Sequence, residues 1–143
     1  MVNDSQPQFV VSLVQRILGD LSGQRIAVLG LAFKPDVDDL RESPAVEVCH
    51  LLSQAGAIVT AYEPYQPEMQ FEGFETVTAL ESALKGAELI LLLVGHAQFR
   101  LLDPAELAQL TPTRQVFDAV NGLPQAEWLA AGFYLSRLGA FMR

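Results

Sequence analysis

Apolar residues recur along this chain in short continuous runs and in helical stripes, and the two patterns alternate. Residues 9–18 carry apolar side chains at helical spacing, which predicts a first amphipathic helix. The runs 26–29 and 88–94 are strongly apolar and too short for stable helices, so they are predicted to be strands buried on both faces. Residues 58–62 are mostly β-branched or aromatic, which predicts a further strand.

The connections between these strands carry helix signals. Ser43 is suited to cap a helix and Pro44 to begin it, because the missing N–H of proline costs nothing at the first helical position. Thr78 is predicted to cap a short helix, and residues 65–76 before it are predicted to be irregular. Helices are thus predicted over residues 45–54, 79–84, 103–110 and 124–131, and short strands over 116–117 and 133–138.

This alternation of strands and helices predicts the fold class. Parallel neighbours need a crossover, which is usually a helix, so the sheet is predicted to be parallel. The predicted fold is α/β: a Rossmann-like, doubly wound, mostly parallel sheet of five strands with flanking helices, preceded by an N-terminal linker helix. The predicted division is residues 1–23 for the end of the linker helix and residues 24–143 for the sheet domain.

Charge and cysteine content limit the classes of partner and site. The formal net charge of −8 argues against nonspecific binding to nucleic acid or to an anionic membrane. No apolar run approaches the roughly 20 residues of a membrane span, and residues 1–9 lack the features of a secretory signal, so a cytoplasmic location is predicted. Cys49 is the single cysteine, which rules out an intrachain disulfide and a cysteine-based metal site. We expect a buried, unreactive thiol there.

Residues 30–43, between the first strand and the next helix, form the predicted binding loop. Open α/β sheets bind ligands outside the carboxyl ends of their strands, and this loop carries an aromatic residue, two cations and four acids there. A dinucleotide site at this turn needs G-x-G-x-x-G, but the second and third glycines are absent and Pro35 removes a backbone N–H. Glu63 imitates the ribose-binding acid, a role we do not expect without those glycines. The fold is thus predicted to be Rossmann-like without the dinucleotide fingerprint.

Four stretches carry a family resemblance: IAVLGLAFKPDVDDLRESPAVEV, GAIVTAYEPY, AELILLLVGHAQFR and VFDAVNG. Together they resemble the C-terminal, UDP-binding domain of the UDP-glucose/GDP-mannose dehydrogenase family, over essentially the whole chain. Within that family, DDLRESPA and GHAQF are most similar to the bacterial enzymes that oxidise UDP-N-acetyl-D-mannosamine, with UDP-glucose 6-dehydrogenases as the alternative.

The resemblance implies an NAD-dependent oxidation of the C6 alcohol of a UDP-sugar to a carboxylate, for surface polysaccharide synthesis. It also implies that NAD is bound mainly by an N-terminal dehydrogenase domain, which carries the glycine fingerprint and the catalytic cysteine. Cys49 does not match the motif of that cysteine, so this chain alone is expected to bind UDP-sugar without catalysing the reaction. Such enzymes are typically dimers around the linker helix, which implies a homodimer through the apolar stripe of residues 9–18.

Matching positions give the candidate site residues. Phe33 and Lys34 correspond to substrate-contacting residues, and Arg41 to a residue that reaches the NAD held by the other domain. The alternatives are a core position for Phe33, a solvated charge for Lys34, and a loop-stiffening ion pair with the acid at 38, 39 or 42 for Arg41. His96 follows the central strand at the same edge and is a further candidate for contact with substrate or with the domain interface, with a capping or surface position as its alternative.

One position departs from the family pattern. Family members usually carry an arginine or lysine after the strand that ends VFD, where this chain has Val120 with Asn121 beside it. If that cation holds substrate, its loss weakens binding by about 1.5–3 kcal/mol. We therefore expect that Asn121 or a partner subunit binds the substrate instead, or that the ligand differs. The competing hypothesis is an interaction module that has kept the sheet and lost the ligand.

Overall fold

The chain folds around a parallel sheet whose winding reverses beside β1. In the computed structural model, which describes residues 6–138, the strands are β1 (Arg25–Leu29), β2 (Ile58–Tyr62), β3 (Glu75–Val77), β4 (Leu89–Leu92), β5 (Gln115–Asp118) and β6 (Tyr134–Arg137). Their order in the sheet is β3-β2-β1-β4-β5-β6, and all neighbouring pairs are parallel. The chain winds outwards from β1 to β3 and then returns to β4 beside β1, which is where open sheets form a binding crevice.

The helices begin largely where the sequence predicts. Within residues 6–138 they are α1 (Gln6–Leu18), α2 (Pro44–Gln54), α3 (Leu80–Leu84), α4 (Ala97–Arg100), α5 (Pro104–Leu110) and α6 (Gln125–Ala130). Ser43 caps α2 by accepting a hydrogen bond from the Ala45 N–H, and Pro44 is the first helical residue, as predicted. The predicted cap at Thr78 is wrong, since Ala79 occupies the N-cap position of α3. In this part of the chain, no helix is long and apolar enough to cross a membrane.

The predicted sheet of five strands is wrong, because residues 6–138 contain six, all parallel. The extra strand is β3, whose first two residues lie in the stretch 65–76 that was predicted to be irregular, so that prediction is wrong at its end. Its three residues pair with β2 at the sheet edge, and this pairing, rather than a periodic pattern of its own, makes it a strand. Helix α4 also lies outside the predictions, because four residues are about one helical turn and show no apolar stripe.

Two apolar cores cover the two faces of the sheet. Ile26 and Val28 of β1 contribute to one core, which also contains the buried residues of α1 and α2. Ala27 and Leu29 contribute to the other core, against α3, α5 and α6. Strand β4 is buried at all four positions, which confirms the prediction of a central strand buried on both faces. Fixed between two cores, the carboxyl ends of β1 and β4 are rigid supports for the loops that follow them.

Helix α1 packs on the sheet domain. Val10, Leu13 and Val14 are buried in the same core as Val48 and Leu52 of α2. The apolar stripe is therefore largely used inside the chain, and the predicted homodimer loses much of the exposed face on which it depends.

Candidate functional site

The carboxyl ends of β1, β4 and β5 open onto a hollow of about 460 Å³, here called the sheet-edge hollow. It lies where the winding reverses, the place at which open α/β sheets bind ligands. The lining residues are Ala32, Phe33, Lys34 and Pro35 after β1, Pro44 and Ala45 of α2, Leu93, Val94, Gly95 and Arg100 after β4, and Val120, Asn121 and Gly122 after β5. Its volume is within the usual range for small-molecule sites.

The charge of this hollow is opposite to that of the whole chain. Its described lining residues include the cations Lys34 and Arg100 and no carboxylate, although the chain carries a formal net charge of −8. The first residues of α2 also line it, and the amino end of a helix carries a partial positive charge. The arrangement therefore favours an anionic ligand of small-molecule size.

Strained backbone is concentrated in the loops around this site. In residues 6–138, the non-glycine residues with a positive φ are Asp36 at 63°, Glu42 at 53° and Asn121 at 56°. Asp36 and Glu42 belong to the loop after β1, and Asn121 belongs to the loop after β5. Such conformations cost free energy and occur most often where a loop shape serves a binding site. The surrounding hydrogen bonds therefore have to hold these loops in place.

In the turn after β1, backbone N–H groups donate hydrogen bonds to the buried carboxylate of Glu63. The N–H groups of Leu31 and Ala32 donate to Glu63 Oε1 at 2.8 and 3.0 Å, and the Tyr65 N–H donates to Glu63 Oε2 at 2.9 Å. In a dinucleotide-binding turn, backbone donors of this kind face the pyrophosphate. Here a carboxylate of the protein accepts their hydrogen bonds, so this turn does not fit the pyrophosphate of NAD.

His96, in the loop between β4 and α4, completes this buried hydrogen-bond network. Its Nδ1 accepts a hydrogen bond from the Asp36 N–H at 2.7 Å, so the proton lies on Nε2, which donates to Glu63 Oε1 at 2.9 Å. Burial alone would raise the pKa of Glu63, but the hydrogen bonds from His96 and from the backbone outweigh it and leave that pKa below its ordinary value. Glu63 and His96 therefore fix the loop after β1 from underneath.

The same loop is also joined to α4. Asp36 Oδ1 accepts a hydrogen bond from the Ala97 N–H at 2.8 Å, and Asp36 Oδ2 lies 4.0 Å from Arg100 Nη2. The Arg100 Nε donates to the Gly95 carbonyl at 2.9 Å. The loops after β1 and β4 therefore form one connected wall of the sheet-edge hollow.

A model of the UDP-glucose/GDP-mannose dehydrogenase family, UDP binding domain, matches residues 27–125. The chain belongs to this family. UDP-glucose 6-dehydrogenase of Bacillus subtilis is 32% identical to it over 135 residues, covering 92% of this chain and 31% of that protein. UDP-N-acetyl-D-mannosamine dehydrogenase of Campylobacter jejuni is 40% identical over 103 residues, covering 68% of this chain and 25% of that protein.

A solved family structure has the same fold. The native structure of the UDP-N-acetyl-mannosamine dehydrogenase Cap5O from Staphylococcus aureus aligns with a TM-score of 0.78 and 30% identity, covering 99% of this chain and 32% of that one. The chain thus spans about a third or less of the length of these relatives. The recognised family is therefore represented here by its UDP-binding domain.

Phe33 and Lys34, two of the candidate site residues, line the sheet-edge hollow. Lys34 lines it, and so does Phe33, whose exposed fraction of 53% makes the alternative of a core position wrong. Phe33 also lines a neighbouring hollow of about 290 Å³ together with Asp39, Arg41 and Glu42. Its ring thus lies between two concave surfaces.

Arg41 lies outside the sheet-edge hollow. Its Nε and Nη2 each donate to an oxygen of Asp39 at 3.0 Å, and 88% of its side chain is exposed. These hydrogen bonds hold the pKa of Asp39 at about 2. The alternative of a loop-stiffening pair is therefore present in the structure, and the guanidinium still faces outwards.

The other two predicted residues have different places. Asn121 lines the sheet-edge hollow beside Val120, which is 40% exposed. His96 has no exposed surface, and both of its ring nitrogens are bonded to the protein. A direct contact between His96 and substrate is therefore not supported in this conformation, because the ring lies under the loop rather than in the hollow.

Two functional positions could not be identified from the sequence. Glu63 resembles a ribose-binding acid in sequence, but the structure places it as the internal acceptor of the first turn. Arg100 was not identified because α4, of which it is the last residue, was not predicted. Both roles depend on partners more than 30 residues away in the chain, namely Leu31 for Glu63 and Asp36 for Arg100.

Proposed function

We propose that this chain binds the substrate of an NAD-dependent nucleotide-sugar dehydrogenase and that the sheet-edge hollow holds the UDP part of a UDP-sugar. The observation that carries the proposal is the pair of cations, Lys34 and Arg100, in a hollow whose described lining has no carboxylate. The diphosphate of a UDP-sugar is the anion that such a hollow suits. Membership of the family, by its UDP binding domain, supports the same ligand.

The proposed substrate is UDP-N-acetyl-D-mannosamine, whose C6 alcohol is oxidised to a carboxylate to give the uronic acid for surface polysaccharide. The relative from Campylobacter jejuni, a UDP-N-acetyl-D-mannosamine dehydrogenase, supports this sugar. UDP-glucose is the second candidate, because the Bacillus subtilis relative is a UDP-glucose 6-dehydrogenase. Both sugars share the UDP group, so the proposal for the hollow does not depend on the choice.

NAD belongs, in this proposal, to an N-terminal dehydrogenase domain and not to the first turn of this one. The hydrogen bonds from Leu31 and Ala32 to Glu63 support this, since they use the donors that a pyrophosphate would need. Arg41 is the residue proposed to reach that NAD, because its guanidinium faces outwards from the domain. An exposed guanidinium can bind a pyrophosphate with two parallel hydrogen bonds.

Titration calorimetry of the 143-residue chain tests this function directly. We expect UDP and the two UDP-sugars to bind and NAD to bind far more weakly. Lys34→Ala is expected to weaken UDP binding by about 1.5–3 kcal/mol, the usual value for a charged hydrogen bond. Lys85→Ala is the matched control, since Lys85 is the exposed lysine after α3 and lies outside the hollow.

Two results would contradict the proposal. One is no heat of binding with UDP or either UDP-sugar at millimolar concentration. The other is an equal loss of UDP affinity in Lys34→Ala and Lys85→Ala. Either would favour the competing function, an interaction module, for which the exposed Val120 in place of a cation is the supporting observation.

A further inference from the structure

The loop after β5 presents an apolar side chain where the family resemblance predicts a cation. Val120 lines the sheet-edge hollow and is 40% exposed, so no charge of its own reaches a ligand from that position. A Cβ atom added to Gly95 or to Gly122 would lie within 4 Å of both the Val120 side chain and the aliphatic part of Arg100, so these two side chains are neighbours at the hollow. We infer that Arg100 of α4 supplies the missing cation and binds the diphosphate of the nucleotide. This inference rests on the proposed function and deepens it.

The stem of Arg100 lies close to the side chain of Val120 beside Gly122. A Cβ atom added to Gly122 would lie 3.3 Å from Arg100 Cγ, 3.4 Å from Arg100 Cδ and 3.5 Å from Val120 Cγ2. The stem of Arg100 and the methyl group of Val120 therefore both border the space above Gly122. A second long cationic side chain at 120 would compete for this space and would repel the guanidinium, so valine at 120 and arginine at 100 are compatible choices.

The Arg100 head group is held in place and still accessible. Its Nε donates to the Gly95 carbonyl at 2.9 Å, and its Nη2 forms a long ion pair with Asp36 Oδ2 at 4.0 Å. The side chain nevertheless remains 48% exposed. Among the described residues, the Gly95 carbonyl is the hydrogen-bond acceptor for this guanidinium and uses only its Nε, so Nη1, and Nη2 if it leaves the long ion pair with Asp36, can donate to a ligand. A guanidinium fixed in this way loses little freedom on binding a phosphate.

The position of Arg100 fits a diphosphate better than the other parts of a nucleotide-sugar. Guanidinium groups bind phosphate oxygens through two parallel charged hydrogen bonds. Lys34 approaches the same hollow from the loop after β1, so a diphosphate would meet cations from two different loops. A neutral nucleoside offers no negative charge to either cation.

The test compares charged and neutral ligands on the full chain by calorimetry. Arg100→Gln is expected to weaken binding of UDP by about 10- to 100-fold, and to leave the affinity for uridine unchanged. It should also flatten the salt dependence of UDP binding, because one charge contact is lost. Arg100→Lys should keep part of the affinity. Arg25→Gln, at the exposed amino end of β1 on the opposite edge, is the matched control and should bind UDP normally.

A second variant distinguishes the loss of a charge from misfolding caused by the substitution. In the Arg100→Gln background, Val120→Arg is expected to restore most of the affinity for UDP, since it returns a cation to the same wall when the guanidinium of Arg100 is no longer there to repel it. UDP binding by the unchanged chain with no loss in Arg100→Gln would overturn this inference alone. An equal loss of UDP and uridine binding, with no recovery in Arg100→Lys, would also overturn it. No UDP binding by the unchanged chain would overturn the proposed function as well.

Discussion

A single carboxylate organises the binding loop from below. Glu63 accepts hydrogen bonds from the backbone of Leu31, Ala32 and Tyr65 and from the ring of His96. An internal anion thus occupies the donors that nucleotide-binding turns usually offer to a pyrophosphate. The backbone donors of this turn are therefore already bonded within the protein, which supports the proposal that the nucleotide binds in the sheet-edge hollow beside it. Glu63 thus adds to the missing glycines and Pro35 as a difference between this turn and a dinucleotide-binding turn.

Glu63→Gln is predicted to lower the free energy of unfolding at pH 7 by about 1–3 kcal/mol. The amide keeps one oxygen acceptor but turns an N–H₂ group towards a donor of the turn, so one buried hydrogen bond is lost. Urea unfolding measures the change. Glu68→Gln, in an exposed loop, is the control and should have little effect. Equal stability of the two variants would contradict the role of Glu63.

The loss of stability in Glu63→Gln, relative to the unchanged chain, is predicted to depend on pH. Because the folded-state pKa of Glu63 lies below its ordinary value of 4.5, its contribution to stability is present above pH 4.5 and is lost as the pH falls through the folded-state pKa. The difference in unfolding free energy between the unchanged chain and Glu63→Gln should therefore shrink on acidification. A difference that stays constant down to about pH 3 would contradict this assignment.

For individual residues, the sequence predicted which loop faces the ligand edge, but it did not predict the hydrogen-bond partners of each side chain. Lys34 and Phe33 were identifiable because a charged loop after a buried strand faces the ligand edge. His96 has the same sequence context, yet it is buried, because the carboxylate of Glu63 and the backbone of Asp36 take both ring nitrogens. Nothing local to residue 96 specifies those distant partners.

The strand-to-loop transition at Gly30 is the most constrained element boundary around the site. Gly30 has a φ of 99°, and a Cβ atom there would lie 2.6 Å from Val94 Cβ and 2.9 Å from the Val94 backbone nitrogen. This close approach brings the loops after β1 and β4 together at the hollow. Glycine is required both for the left-handed conformation and for the space.

Gly30→Ala is predicted to lower the free energy of unfolding by about 2–6 kcal/mol, the sum of backbone strain and overpacking. Gly19→Ala is the matched control, since Gly19 also has a positive φ, 77°, with nothing within 4 Å of the added Cβ. Its expected loss is about 1–3 kcal/mol, from strain alone. Chemical denaturation measures both. Equal losses would contradict the contact with Val94.

Element predictions succeeded where the pattern was local. The four apolar residues of β4 and the Ser43 cap of α2 are specified by neighbouring residues, and both are present. Strand β3 and helix α4 are too short to show a period and form through tertiary contacts, namely pairing with β2 and packing of the buried Phe99. Short elements of this kind are therefore the ones that sequence periodicity misses.

For the whole molecule, a strongly acidic chain presents a cationic hollow at one sheet edge. The net charge of −8 keeps nonspecific anions away, and Lys34 and Arg100 concentrate positive charge where β1, β4 and β5 end. The alternation of strands and helices was sufficient to predict this architecture. The use of α1 was not predictable, because an amphipathic stripe fits a neighbouring domain, a second copy or its own sheet domain equally well.

The isolated chain is predicted to be a monomer, in contrast to the homodimer implied by the resemblance. Val10, Leu13 and Val14 of α1 are buried against the domain, so a dimer through this stripe would first have to detach α1. Light scattering should give the mass of one chain, 15.6 kDa. A mass of two chains would contradict the prediction. Phe9→Glu would then locate the contact, because Phe9 is 38% exposed on α1 and its charge would disrupt a dimer that uses this helix.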